Sequence, residues 1–238
     1  MDMKNIEICE EIKKRLEEKH IKRIAGFEKP ILLISSEYPG LWLEHVYDSV
    51  FYATLDKEKL YLAESATEIF MKYQKPNGQL PYVAKDTAEP SNQGSATVGY
   101  WQIQECVSFA SLCLLVYDMN RNKDYLKKAY TSVKKWVGWL RDNRMTRGLG
   151  LVEMFVGFDT GHDNSGRLEG MSYPTAYIED GVRREADKIP PCEVAPIIAV
   201  DMNCNFYGNL KAIAKMARIL GSGEEEIYEE KADRKSVV

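Results

Sequence analysis

The chain has 238 residues, 45% of them hydrophobic and 29% charged, ordinary values for a globular protein of one large domain or two small ones. A net charge of −4 at pH 7 with no basic stripe argues against nucleic acid as a partner. No apolar run is long enough to cross a bilayer and the opening stretch is charged, so no membrane partner and a cytoplasmic location are expected.

The first predicted element is an amphipathic helix over 4–19, with Ile6, Ile8, Cys9, Ile12 and Leu16 among many charges. It ends at Gly26, and residues 1–27 are expected to pack on the rest as an N-terminal helix. Phe27 to Ser36 is expected to be extended, and Tyr38 to Gly40 to turn. A helix over 41–55 is apolar on most sides, with Glu44, His45, Asp48 and Ser49 early in it. Such a helix is expected to be buried among others. The next, 57–74, is one-sided: Leu60, Leu62, Ala63, Ala66, Ile69, Phe70 and Tyr73 face inward and its lysines and glutamates face water. After a loop from Lys75 to about Ser95, a second buried-type helix is predicted over 98–118 and a second one-sided helix over 123–142. A third buried-type helix follows at 200–220, stopped by Gly221, and a charged helix starts at Glu224.

Buried and exposed helices therefore alternate. Three helical hairpins in two concentric layers, with the polar ends and long connections gathered at one rim, explain the pattern. The longest connection, 143–199, holds the segment Gly157-Phe-Asp-Thr-Gly-His-Asp-Asn-Ser-Gly-Arg-Leu-Glu-Gly170. Its glycines exclude a regular helix or strand, and it carries two acids, Asp159 and Asp163. Of these, Asp159 reads chiefly as a turn or cap residue. The 14 tyrosines and 4 tryptophans suit a sugar-binding surface as well as a large helical core. The five cysteines, Cys9, Cys106, Cys113, Cys192 and Cys204, form no CxxC pair and are expected to be small buried hydrophobes in a reducing compartment. His45 and His162 lack a third ligand at metal spacing, so no metal and no cofactor are expected.

Four motifs carry a family resemblance. Tyr38 to Phe51 (YPGLWLEHVYDSVF) resembles the opening inner helix of the (α/α)6-barrel glycoside hydrolases of family 63 and the related trehalases and mannosylglycerate hydrolases. Gly78-Gln-Leu-Pro81 resembles their Gly-x-Ile-Pro turn. Gly161-His-Asp-Asn-Ser-Gly-Arg167 resembles their Gly-Trp-Asp-Asn-Ser-Pro-Arg loop, and Val200-Asp-Met-Asn203 their Val-Asp-Leu-Asn. His162 replaces the usual Trp, Gly166 the usual Pro, and Gln104-Glu105 the usual Gln-Pro. The resemblance implies an all-α, (α/α)6-toroid fold, here incomplete, as a single partial domain over 1–238. It implies an inverting glycosidase acting on a small α-linked saccharide or glycoside, with Asp163 as general acid. It also implies sugar contacts from Trp42, Tyr47, Asp48, Gln104, His162 and Arg167, gathered at the same rim as Asp163. The family's base, a Glu near the end of the ring, is expected beyond Val238; the rival is a nearer carboxylate, Glu169 or Glu193. Uncovered apolar faces of a partial ring favour self-association. Two other classes compete: a truncated, non-catalytic carbohydrate-binding relative, and a sugar isomerase or epimerase on a similar toroid. The isomerase would need histidines as acid and base, and the chain has only three.

Overall fold

Six of the seven helices among the described residues pair off as hairpins. The computed structural model describes residues 3–24, 26–33, 35, 40–85, 98–162, 165–170, 178–179, 182–183 and 197–233. The hairpins are α2 (Val46–Leu55) with α3 (Leu60–Lys72), α4 (Phe109–Asn120) with α5 (Lys123–Asn143), and α6 (Val200–Leu220) with α7 (Glu225–Asp233). The inner helices α2, α4 and α6 pack side by side, and the outer helices α3 and α5 touch behind them. This is the alternation that the apolar pattern predicts. It makes the chain an all-α protein of helical-toroid type.

Each boundary has a local cause. Asn122 caps α5 by accepting from the backbone N–H of Asp124 (2.9 Å) and Tyr125 (3.1 Å). Along α5, Leu126, Tyr130, Val133, Trp136, Val137 and Leu140 recur at three- and four-residue spacing, and all are buried. Each large side chain of this kind contributes about 1.5–3 kcal/mol when fully buried.

Two predicted helices start later than expected. Residues 40–45 form a strand, β3 (Gly40–Trp42), and a 3-10 turn, so the helix predicted from 41 begins at Val46. The helix predicted from 98 begins at Phe109, capped by Ser108, whose side chain accepts from Ser111 N. Residues 98–108 instead hold strand β5 (Val98–Gly99) and irregular turns, so Gln102, Gln104 and Glu105 precede the helix. The reason is tertiary. β4 (Val83–Lys85) pairs antiparallel with both β3 and β5, a three-stranded sheet that no local pattern announces.

The N-terminal helix α1 (Met3–His20) leads into a hairpin of β1 (Ile21–Ile24) and β2 (Phe27–Leu32); β2 is the extended stretch predicted from Phe27, whereas β1 falls before Gly26, where no strand is expected. Lys13 pairs with Asp56 and Glu17 with Lys59, tying α1 to the turn between α2 and α3. Of the cysteines, Cys113 is buried, Cys106 half-buried, and Cys9 and Cys204 exposed, so burial holds for the middle pair alone; Cys192 lies outside the described residues. Cys9 and Cys204 sit on the solvent-facing stripes of α1 and α6. Among the described residues no helix is long and apolar enough to cross a membrane.

Candidate functional site

Arg144 follows the last turn of α5 and is fully buried, as is Asp159 fifteen residues later. Their side chains meet at 2.5 Å. The Asp159 carboxylate also accepts from the backbone N–H groups of Phe155 (2.9 Å), Val156 (3.1 Å) and Ile103 (2.9 Å). Its own carbonyl accepts from Glu105 N at 3.2 Å. The guanidinium lies 4.2 Å from the Phe155 ring centroid. With no face open to water, Asp159 is not accessible to a ligand. It is the structural residue the turn reading predicts, and it clamps segment 101–106 against segment 155–160.

Beyond the clamp the chain turns at Gly161 (φ +70°), where a side chain would run into Glu44 and Cys106. Cys106 Sγ donates to Glu44 Oε2 at 3.4 Å. Burial first, and the Glu44 charge second, push that thiol well above its ordinary range, so it stays protonated and is no nucleophile. Asp163 and Asn164 lie outside the described residues, as does Glu193. On either side of them the chain is anchored to α6. Arg167 Nη2 donates to Asp201 Oδ2 at 2.8 Å, and His162 Nδ1 lies 3.1 Å from the same oxygen. These three side chains are partly exposed. Burial raises the Asp201 pKa, but the Arg167 hydrogen bond, the Met202 N–H and the charges of Arg167 and His162 outweigh it and hold the carboxyl below its ordinary value.

An aromatic corner stands beside the clamp. Trp42, Tyr82, Val83 and Trp101 are buried together with Phe158 packed on them. Tyr82 meets Trp101 edge-on at 4.8 Å, and Trp101 meets Phe158 at 5.9 Å. Lys85 Nζ rests 4.6 Å above the Trp42 ring. Following Trp101, Gln102 and Gln104 are buried, and the side-chain oxygen of each has no hydrogen-bond partner. Beneath them Glu105 is wholly enclosed. It accepts from Trp136 Nε1 (3.1 Å) and Asn209 Nδ2 (2.7 Å), and burial raises its pKa to about 8.

The opening turns of α2 lead elsewhere. Asp48 borders a cleft of about 510 Å³ between α1 and α2, shared with Arg15, His20, His45, Phe51 and Tyr52. Partial burial raises its pKa, with His45 opposing. Tyr47 is exposed and stacks on Phe51 at 5.8 Å.

The family model of the mannosylglycerate hydrolase MGH1-like glycoside hydrolase domain matches residues 46–236. The chain belongs to this family. Among solved structures it resembles the GH63 mannosylglycerate hydrolase from Thermus thermophilus. In complex with Tris and D-glycerate the TM-score is 0.68 at 18% identity, covering 94% of this chain and 62% of that one. In complex with glucose the TM-score is 0.62 at 16% identity, with the same coverage. An uncharacterized conserved protein from the same organism matches with a TM-score of 0.62 at 16% identity, over 94% of this chain and 61% of that one. The chain thus spans about 62% of the length of the solved structures it resembles. No curated protein matches it.

Within this family scaffold, the expected site residues fall into groups. Trp42 lies in the aromatic corner, Gln104 follows it, and His162 and Arg167 flank the segment of Asp163. No hydrogen bond or ion pair among the described residues joins Asp48 or Tyr47 to that set. Trp42 sits on a strand and Asp48 a helical turn further on, which separates the two. Two residues went unmarked in the sequence. Asp201 receives Arg167 and His162, and Asn203 fixes α6 to the loop by bonding both Val152 N (2.8 Å) and Val152 O (3.0 Å). The Val-Asp-Met-Asn motif was the signal for both. Arg144 had no such signal, because its burial depends on a partner in another segment.

Proposed function

We propose that the chain acts on small α-linked saccharides or glycosides as an inverting glycosidase, with Asp163 as the general acid. The carrying observation is the pair of buried, unpartnered amide oxygens of Gln102 and Gln104 beside the aromatic corner. A buried acceptor without a donor costs about 1–3 kcal/mol, and a sugar hydroxyl supplies that donor. Family membership and the contacts of His162 and Arg167 with Asp201 support the reading that Asp163 acts beside the bound sugar. Glycoside hydrolysis needs a protonated carboxyl at the leaving oxygen and a second carboxylate to activate water. Glu169 is exposed on the loop surface and so poorly placed as that second group.

In this reading Arg167 and His162 bind substrate hydroxyls directly, and Trp42 backs the sugar ring. Asp48 and Tyr47, which border the α1–α2 side and the solvent, are left out of this substrate group. A cytoplasmic setting is supported by the free thiols of Cys9, Cys106, Cys113 and Cys204. Self-association is supported by the exposed Tyr47, Phe51 and Leu55 on α2. The test is an assay of the purified chain on a panel of α-glucosides, α-mannosides and mannosylglycerate. Saccharide binding is expected, and whatever turnover the chain shows should proceed with inversion and fall about 100-fold or more on Asp163→Asn with binding retained. Saccharide binding without turnover would leave a carbohydrate-binding protein; no binding to any member would remove the reading.

A further inference from the structure

Lys134, Gly138 and Arg141 recur at four- and three-residue spacing on one stripe of α5, beside α7. α7 rests chiefly on α6 and leaves a gap along that stripe. The gap is a cleft of about 230 Å³. Its floor is apolar: Val137 of α5, Phe206 and Leu210 of α6 and Tyr228 of α7 line it, all of them buried.

Gly138 is the odd member of the stripe. It stands inside a helix, where glycine is less favourable than alanine. Its backbone is helical, so no turn requires it, and a Cβ there would meet nothing within 4 Å among the described residues. No close neighbour requires it either. What the missing side chain does is leave the cleft open, because a larger residue would project into it.

The rim is cationic. Lys134, Arg141 and Lys231 border the cleft, and no carboxylate is among the described residues that line it. Glu224 engages Lys134 and Asp142 engages Arg141, both from outside the lining. Lys231 Nζ stands 4.8 Å from the Tyr228 ring centroid, at the wall of the cleft. In a chain with 36 acidic and 32 basic residues, a concave site bordered by three cations favours an anion. Size narrows the class: an apolar cavity of about 150 Å³ holds benzene, so this cleft takes one ring and a small head group.

We propose that the cleft between α5, α6 and α7 binds a small aromatic carboxylate, its ring on the floor of Phe206 and Tyr228 and its head between Arg141 and Lys231. The inference goes beyond the glycosidase reading and does not rest on it. None of the lining residues belongs to the saccharide site proposed above, so either reading can fail without the other.

The experiment is a ligand-observed NMR titration of the full 238-residue chain with benzoate, benzamide and acetate. Benzoate is expected to bind. Benzamide has its shape without the charge and acetate its charge without the ring, and each should bind about tenfold more weakly or less. Gly138→Leu should fill the cleft and weaken benzoate about tenfold or more. Its melting temperature should be unchanged or raised, since leucine favours a helix over glycine and gains contact with the apolar floor. Arg141→Gln and Lys231→Gln change exposed rim residues. Each should weaken benzoate about threefold or more and leave benzamide unchanged. Absence of benzoate binding overturns the proposal, as does equal binding of benzoate and benzamide, or wild-type benzoate affinity in a folded Gly138→Leu. If Gly138→Leu melts below wild type, the rim variants decide. Unchanged benzoate affinity in both then overturns the proposal, and a loss in either with benzamide unchanged supports it.

Discussion

Two arginine–carboxylate pairs involve the same long connection, one closed within it and one tying it to α6, and they differ in burial. Arg144 and Asp159 are sealed from water, and Asp159 accepts three backbone N–H groups besides the guanidinium. Arg167 and Asp201 make a similar contact at 2.8 Å but remain partly exposed, and His162 shares their oxygen. The Asp159 carboxylate is fully engaged and both side chains are closed to solvent, although Arg144 Nε and Nη2 have no hydrogen-bond partner. The second pair has free edges facing solvent. Burial, more than residue type, decides which polar group builds a site and which one serves it.

The sharpest way to break this comparison is to cut the sealed pair. Asp159→Asn places an amide N–H₂ against donors and leaves Arg144 without its counter-charge. A loss of about 3–5 kcal/mol of stability is expected, read by chemical denaturation. A loss under about 1 kcal/mol, as at a surface pair, would show that the clamp does not organise the loop.

Glu105 sharpens it next. This carboxyl has a folded-state pKa of about 8 against an ordinary 4.5. Between those values the folded chain keeps a proton that the unfolded chain releases, so stability must fall as pH rises from about 4.5 through about 8. Glu105→Gln mimics the protonated form and should flatten this slope. The variant should be no more stable than wild type at pH 5 and more stable at pH 9, as measured by denaturant midpoints. Parallel curves for the two proteins would mean that Glu105 is ionised in the fold across this range.

Much of this was legible in the sequence, for a physical reason. Helices announce themselves through neighbours three and four residues apart, so α5 and α6 were read nearly to the residue. The clamp and the Lys85–Trp42 contact were not legible, because they join residues brought together by a turn of the long connection and by sheet pairing. Gly40 opposite Lys85, or Arg144 beneath Asp159, has no local signature. The stretch from Val98 to Cys106 misled because an apolar run reads alike as buried helix or buried strand. Ser108, a good N-cap residue, was the available clue to the true start of α4. The loop motif singles out His162 and Arg167 as candidates and the Val-Asp-Met-Asn motif contains Asp201, but the pairing of Asp201 with both is fixed only by the fold.

A smaller effect is expected at the exposed pair. Asp201→Asn should change stability by no more than about 1 kcal/mol, since solvent screens the charges. It should still release Arg167 and His162, lowering saccharide affinity. A stability loss matching that of Asp159→Asn would erase the distinction between the two pairs.

The most direct test is a tryptophan-fluorescence titration of the full chain with mannosylglycerate, comparing wild type with Arg167→Ala. If the exposed pair serves the ligand, Arg167→Ala melts close to wild type and binds about tenfold to a hundredfold more weakly, the loss of one charge-assisted hydrogen bond. Unchanged affinity in a stably folded Arg167→Ala would contradict the account.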